Sequence, residues 1–75
     1  MPKSTAHPLL RRVGQRIRAA RTRVGLSQEA LADAAGVDRS YMSGVERGVR
    51  NITLLKLAAV AKALGAHMAS LLAED

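Results

Sequence analysis

The amino-acid sequence predicts an all-α domain of five short helices, and three observations carry that prediction. Apolar residues make up 48% of the 75 positions, yet Tyr41 is the sole aromatic, so the core must be built from Leu, Val, Ile, Met and Ala. Those side chains suit closely packed helices. The second observation is a start signal used three times: a capping Ser, Asp or Thr, preceded by an apolar residue that can meet another five positions on. The third is periodicity, which runs at three and four residues with no strand-like alternation and no internal repeat.

The elements follow in order. Residues 1–8 hold both prolines among small polar residues and read as a flexible N-terminal arm, ahead of a single domain at 9–73. Leu10, Val13, Ile17, Ala20 and Val24 then form one stripe of an amphipathic helix, whose other faces carry Arg11, Arg12, Arg16, Arg18 and Arg23. Gly25 is placed to end it. Ser27 caps helix two with Leu26 and Leu31 stapled, Asp38 caps helix three with Val37 and Met42, and Thr53 caps helix four with Ile52 and Leu57. Gly36, Gly48 and Gly65 supply the stops. On helix four, Leu54, Leu57, Ala58 and Ala61 are expected to fill the core. A fifth helix, from roughly Ala66 to Leu72, offers Met68, Leu71 and Leu72 as its apolar face.

Twelve Lys and Arg against six Asp and Glu give a net charge of +6 and a pI of about 11.2, which points to a polyanionic partner. Nucleic acid leads and an anionic membrane surface trails, because the apolar stripe of helix one is needed for the core. The absence of cysteine excludes disulfides, thiolate zinc sites and a Cys nucleophile, and is compatible with an intracellular address. The longest apolar run, Leu57 to Ala61, is too short for a membrane span, and the N-terminus lacks the apolar stretch of a secretory signal. A cytoplasmic, nucleoid-associated location is therefore expected. At 8.0 kDa there is no room for a cleft between lobes. His7 in the arm and His67 at the opening of helix five have no acidic or Ser neighbour at a spacing that suggests a triad or a metal site. No catalysis, no metal and no cofactor are expected.

Residues 28–47 hold two short helices joined by a turn of about four residues centred on Gly36. Leu31, Ala35, Val37, Met42 and Val45 are apolar where the pair must face inward, Ala32 is small where the helices cross, and Gly36 sits where the chain needs positive φ. This is the pattern of a helix-turn-helix, whose second helix enters the DNA major groove. Winding helix three at about 100° per residue turns Met42 and Val45 inward. Ser40, Ser43, Gly44 and Arg47 then lie opposite, with Arg39 and Tyr41 on the flanks. Gly44 costs roughly 1 kcal/mol relative to Ala, either to let the helix approach the groove floor or as a tolerated residue on a solvated face.

The run Gly-Leu-Ser-Gln-Glu-Ala-Leu-Ala-Asp-Ala-Ala-Gly at 25–36 carries a resemblance. The segment from Val13 to Leu72 resembles the five-helix Cro/lambda-repressor type (XRE-like) of helix-turn-helix domain. Asp-Arg-Ser-Tyr-Met-Ser-Gly-Val-Glu-Arg-Gly-Val-Arg-Asn-Ile-Thr at 38–53 is similar to the matching stretch of restriction-modification controller proteins. The resemblance implies a homodimeric transcription regulator on double-stranded DNA, an activator or repressor reading a palindromic operator whose half-sites lie about one helical turn apart.

What it implies for single residues is specific. Gln28 matches a position that bonds a phosphate and braces a base-reading side chain, a solvated first-turn Gln being the alternative. Arg39 and Ser40 match positions that reach base edges, and an Arg fork pairs with guanine O6 and N7. Tyr41 matches a position touching backbone or base in controller-like proteins, or is a partly buried core edge. Ser43 is a base-edge or phosphate candidate, and Arg47, Arg50 and Asn51 fall where the family holds phosphates. The residues matching Arg21 and Glu46 form a partly buried ion pair in relatives. Glu29 and Asp33 match an acidic patch that touches RNA polymerase in lambda-type regulators, against the plainer reading of a solubilising face. Met68, Ala69 and Leu72 form an apolar patch at the domain's end, the end that meets its two-fold mate in the family. An antitoxin-type interaction module on the same fold is the alternative function, which would call for an extension to hold its toxin.

Overall fold

The computed structural model describes residues 7–74, which form α1 (Pro8–Arg23), α2 (Gln28–Ala35), α3 (Arg39–Arg47), α4 (Leu54–Leu64) and α5 (Met68–Leu72), with no strand among them. The domain is all-helical, as its composition and periodicity predict. Ser27, Asp38 and Thr53 cap their helices, their side-chain oxygens accepting from the backbone N–H of Ala30, Tyr41 and Lys56 at 3.0, 2.7 and 3.1 Å. Each bond satisfies a donor that the helix itself leaves unpaired.

Three boundaries differ from the sequence reading. Pro8 occupies the first turn of α1, and His7 caps it, Nδ1 accepting from the Leu9 N–H at 3.1 Å. Proline loses no hydrogen bond at that position and its fixed φ suits it, so of the residues assigned to the arm Pro8 belongs to the helix and His7 is its cap. The rest of the arm, 1–6, lies outside the described residues. At the other end Val24, counted in the apolar stripe, is the C-cap and stands 51% exposed. α5 begins at Met68, with His67 its extended N-cap, while the Ala66 N–H still belongs to the close of α4, bonded to the Ala61 carbonyl at 2.9 Å.

Ile17, Leu31, Met42, Val45 and Val60 are the largest fully buried side chains, one or two from each of the first four helices, and Leu71 joins them from α5. No helix here could bury its stripe alone, so the five fold together or not at all. Leu54 is a correction: expected in the core, it is 71% exposed, and its neighbour Leu55 is 83% exposed. The apolar stripe of α4 continues one turn beyond the elements that cover Leu57.

α1 and α3 cross at backbone contact. A Cβ on Gly14 would stand 2.4 Å from the Val45 carbonyl oxygen and 2.5 Å from that of Glu46. At Gly48, the C-cap of α3 with φ 77°, a Cβ would meet the Arg11 Cα at 2.7 Å. Two glycines thus hold the first helix directly against the third.

Candidate nucleic-acid interface

The corner between α2 and α3 comprises Gly36, Val37 and Asp38. Gly36 takes φ 73°, its N–H donating to the Asp33 carbonyl at 3.2 Å, while the Val37 N–H reaches the Ala32 carbonyl at 3.0 Å. Lys56 Nζ donates to the Gly36 carbonyl at 3.3 Å. With these backbone groups bonded the corner is stiff, and α3 is presented at a set angle to α2. Met42 and Val45 anchor its inner side, Ser40 and Arg47 stand exposed on the opposite one, and Arg39 is exposed on the flank. Ser43 is half-buried.

Gly44 does not lie open, as winding the helix suggests. It is buried, because the chain folds back after α3 and lays Arg50 across it: a Cβ at Gly44 would meet the Arg50 Cβ at 3.3 Å. The same guanidinium lies over the Tyr41 ring, 5.4 Å from its centroid, a cation–π arrangement. The Tyr41 hydroxyl donates to the Asn51 carbonyl at 3.3 Å, and the half-buried ring packs on the core edge. Glycine at 44 therefore makes a seat for Arg50. Ser40, Gly44, Arg47, Arg50 and Asn51 come together around one shallow hollow on the outer face of α3. Arg39 stands apart from that hollow.

Arg21 and Glu46 meet at the base of α3. Arg21 Nε donates to Glu46 Oε2 at 2.7 Å and a second guanidinium nitrogen to Oε1 at 3.1 Å, with the Arg and Glu side chains only 15% and 3% exposed. Gln28 Nε2 adds a third donor to Oε1 at 3.1 Å, and Arg21 also donates to the Leu26 carbonyl at 2.9 Å. The Glu46 hydrogen bond raises the Arg21 pKa further above its ordinary value, with burial opposing it. A paired guanidinium of that kind stays charged at any working pH. One carboxylate thus ties together α1, α2 and α3, and it holds Gln28 at the rim of the exposed face.

A model of the Helix-turn-helix family matches residues 17–71. The chain belongs to the helix-turn-helix family. It is 50% identical to the restriction-modification controller protein C.AhdI from Aeromonas hydrophila over 83% of this chain and 94% of that one, with a TM-score of 0.80. It is 40% identical to Control protein C.BamHI of Bacillus amyloliquefaciens, over 79% of this chain and 74% of that protein. The Immunity repressor protein of Bacillus phage phi105 is 43% identical over 84% of this chain, which spans 44% of the phage protein's length.

Around the helix-turn-helix the remaining candidates are dispersed. Glu29 and Asp33 are both exposed on α2, away from the hollow on α3. Met68 is half-buried against the core, while Ala69 and Leu72 are exposed, Leu72 at 38%. Among the described residues no group of His, Cys, Asp and Glu could hold a metal ion, and no helix is long and apolar enough to cross a membrane. Sequence reasoning sets Arg11 and Arg18 on the polar faces of α1 without a role of their own and passes over Gln15, yet all three line a cleft shared with Ser43 and Arg47 of α3. Their spacing of four and three residues is the signal that could have found them.

Proposed function

We propose that the protein is a sequence-specific regulator of transcription that binds a palindromic operator on double-stranded DNA as a homodimer, in the cytoplasm at the nucleoid. One observation carries the reading: Arg39, Ser40 and Arg47 stand exposed on the second helix of a stiff helix-turn-helix, in a chain of net charge +6. Arg39 and Ser40 are assigned to base edges, and Gln28, Arg47, Arg50 and Asn51 to phosphates. Tyr41 and Ser43 serve either surface. Similarity to controller proteins supports the narrower role of a restriction-modification controller that activates as well as represses, with Glu29 and Asp33 the contact for RNA polymerase. The reading calls for no reaction and no cofactor.

Selection of bound sequences from random DNA tests it, with a two-fold symmetric consensus as the expected result. On the selected operator, Arg39→Ala should cost about 1 to 3 kcal/mol per half-site and relax preference at one base pair, whereas Arg50→Ala should weaken all sequences alike. Equal losses on operator and random DNA in the Arg39 variant would reassign that side chain to phosphate.

The two-fold contact is assigned to Met68, Ala69 and Leu72, which would set the two recognition helices roughly 34 Å apart. Leu72→Asp places an unpaired charge in that surface, so sedimentation equilibrium should find a monomer and circular dichroism an unchanged helical content. An undiminished dimer would move the contact to Leu54 and Leu55, the most exposed leucines among the described residues.

A further inference from the structure

We propose that α1 carries a second line of DNA contacts: Arg11 and Arg18, with Gln15 between them, seat the sugar-phosphate backbone of one strand in the cleft between α1 and α3. The proposal rests on the DNA-binding reading above and extends it to a helix outside the helix-turn-helix.

Charge comes first. One wall of the cleft is Arg11, Gln15 and Arg18, and the other is Ser43 and Arg47. Among the described residues Glu46 is the only carboxylate lining it, and Arg21 neutralises that. Among the same residues no carboxylate pairs with Arg11, Arg18 or Arg47, so three guanidinium groups set the sign of the cleft. Geometry comes second. Positions 11, 15 and 18 fall on one stripe of α1, and from Arg11 to Arg18 the helix rises about 10 Å. Side chains at the two ends of that rise are far enough apart to reach different phosphates of one strand, whose successive nucleotides are about 3.4 Å apart along the duplex axis.

Placement comes third. The stripe lies at the edge of α3 because Gly14 lets the helices touch, and Gly48 receives the Arg11 stem, its missing Cβ leaving room for the Arg11 Cγ, which a Cβ would meet at 2.7 Å. Arg11 is thereby held beside the end of the recognition helix. A strand flanking a groove that receives α3 would run along this wall, since Ser43 and Arg47 belong to both the cleft and the helix.

The test compares Arg11→Gln/Arg18→Gln with Arg11→Lys/Arg18→Lys in the full chain, on a random-sequence DNA duplex over a series of salt concentrations. Glutamine keeps enough stem to fill the space beside Gly48, and circular dichroism verifies the fold of each variant. Arg23→Gln is the control, since Arg23 is exposed on α1 but lines a different hollow, beside α5. The glutamine pair should bind roughly tenfold more weakly at about 0.1 M salt, with a log–log salt slope shallower by roughly 0.9 for each phosphate no longer neutralised. The lysine pair should keep the wild-type slope, and Arg23→Gln should match wild type. A glutamine pair with the wild-type slope, on a wild-type protein that binds, overturns the α1 contacts and leaves the DNA-binding reading standing. An equal loss in Arg23→Gln overturns them too, because diffuse charge would then account for the effect. Wild-type protein without salt-dependent binding overturns both.

Discussion

Replacing Gly14 by alanine should cost about 3 kcal/mol or more, the upper range for forcing extra volume into a packed interior. The new methyl would stand 2.4 and 2.5 Å from two backbone carbonyl oxygens, and a backbone cannot turn aside as a flexible side chain can. α1 must therefore lift off α3 along the whole crossing, which also loosens Val13 and Ile17 from Met42 and Val45. A domain of this size is stable by roughly 4 to 11 kcal/mol, so the variant should lose between about a quarter and three quarters of its stability. Urea denaturation followed by circular dichroism measures it. A loss below about 0.5 kcal/mol, the range of ordinary surface changes, would show that the two helices part freely.

The second large effect is expected from Arg21→Ala. The substitution leaves the Glu46 carboxylate, 3% exposed, with Gln28 as its remaining donor. An uncompensated charge of that burial costs about 3 kcal/mol. The Arg21→Ala/Glu46→Ala variant should be more stable than the sum of the two single losses, because it removes the stranded charge together with its partner. Strict additivity in that cycle would mean that the pair is not coupled. The same single variant should bind DNA more weakly than its remaining folded fraction explains, since Gln28 loses a fixed acceptor once the carboxylate moves.

What can be read from the sequence is local. Ser27, Asp38 and Thr53 act on N–H groups three residues away, so type and spacing alone reveal them, and the inward faces of α2 and α3 follow from one helical period. The pairing of Arg21 with Glu46 comes from resemblance, because no short-range pattern links α1 to α3. Gly14 gives no sign of itself for the same reason: its partners are carbonyls that only the folded chain brings near. Pro8 is legible yet misleading, its place among arm-like residues outweighing its fitness for a first turn. Leu54 and Gly44 show the limit of winding a helix on paper. A periodic stripe says which side is apolar but not where the neighbouring helix ends, and it says nothing of a loop that returns to lie on the helix.

Tyr41 has a practical consequence. As the sole aromatic in a chain without tryptophan, it is the only fluorophore excited in the near ultraviolet, and it sits on the recognition helix under the Arg50 guanidinium with its hydroxyl on the Asn51 carbonyl. Its emission therefore comes from one known place, at the junction of α3 and the loop assigned to phosphates. Any movement of Arg50 or Asn51 toward a ligand changes the quenching and polarity around that single ring, so the unmodified protein carries its own optical reporter and engagement can be timed without attaching a dye.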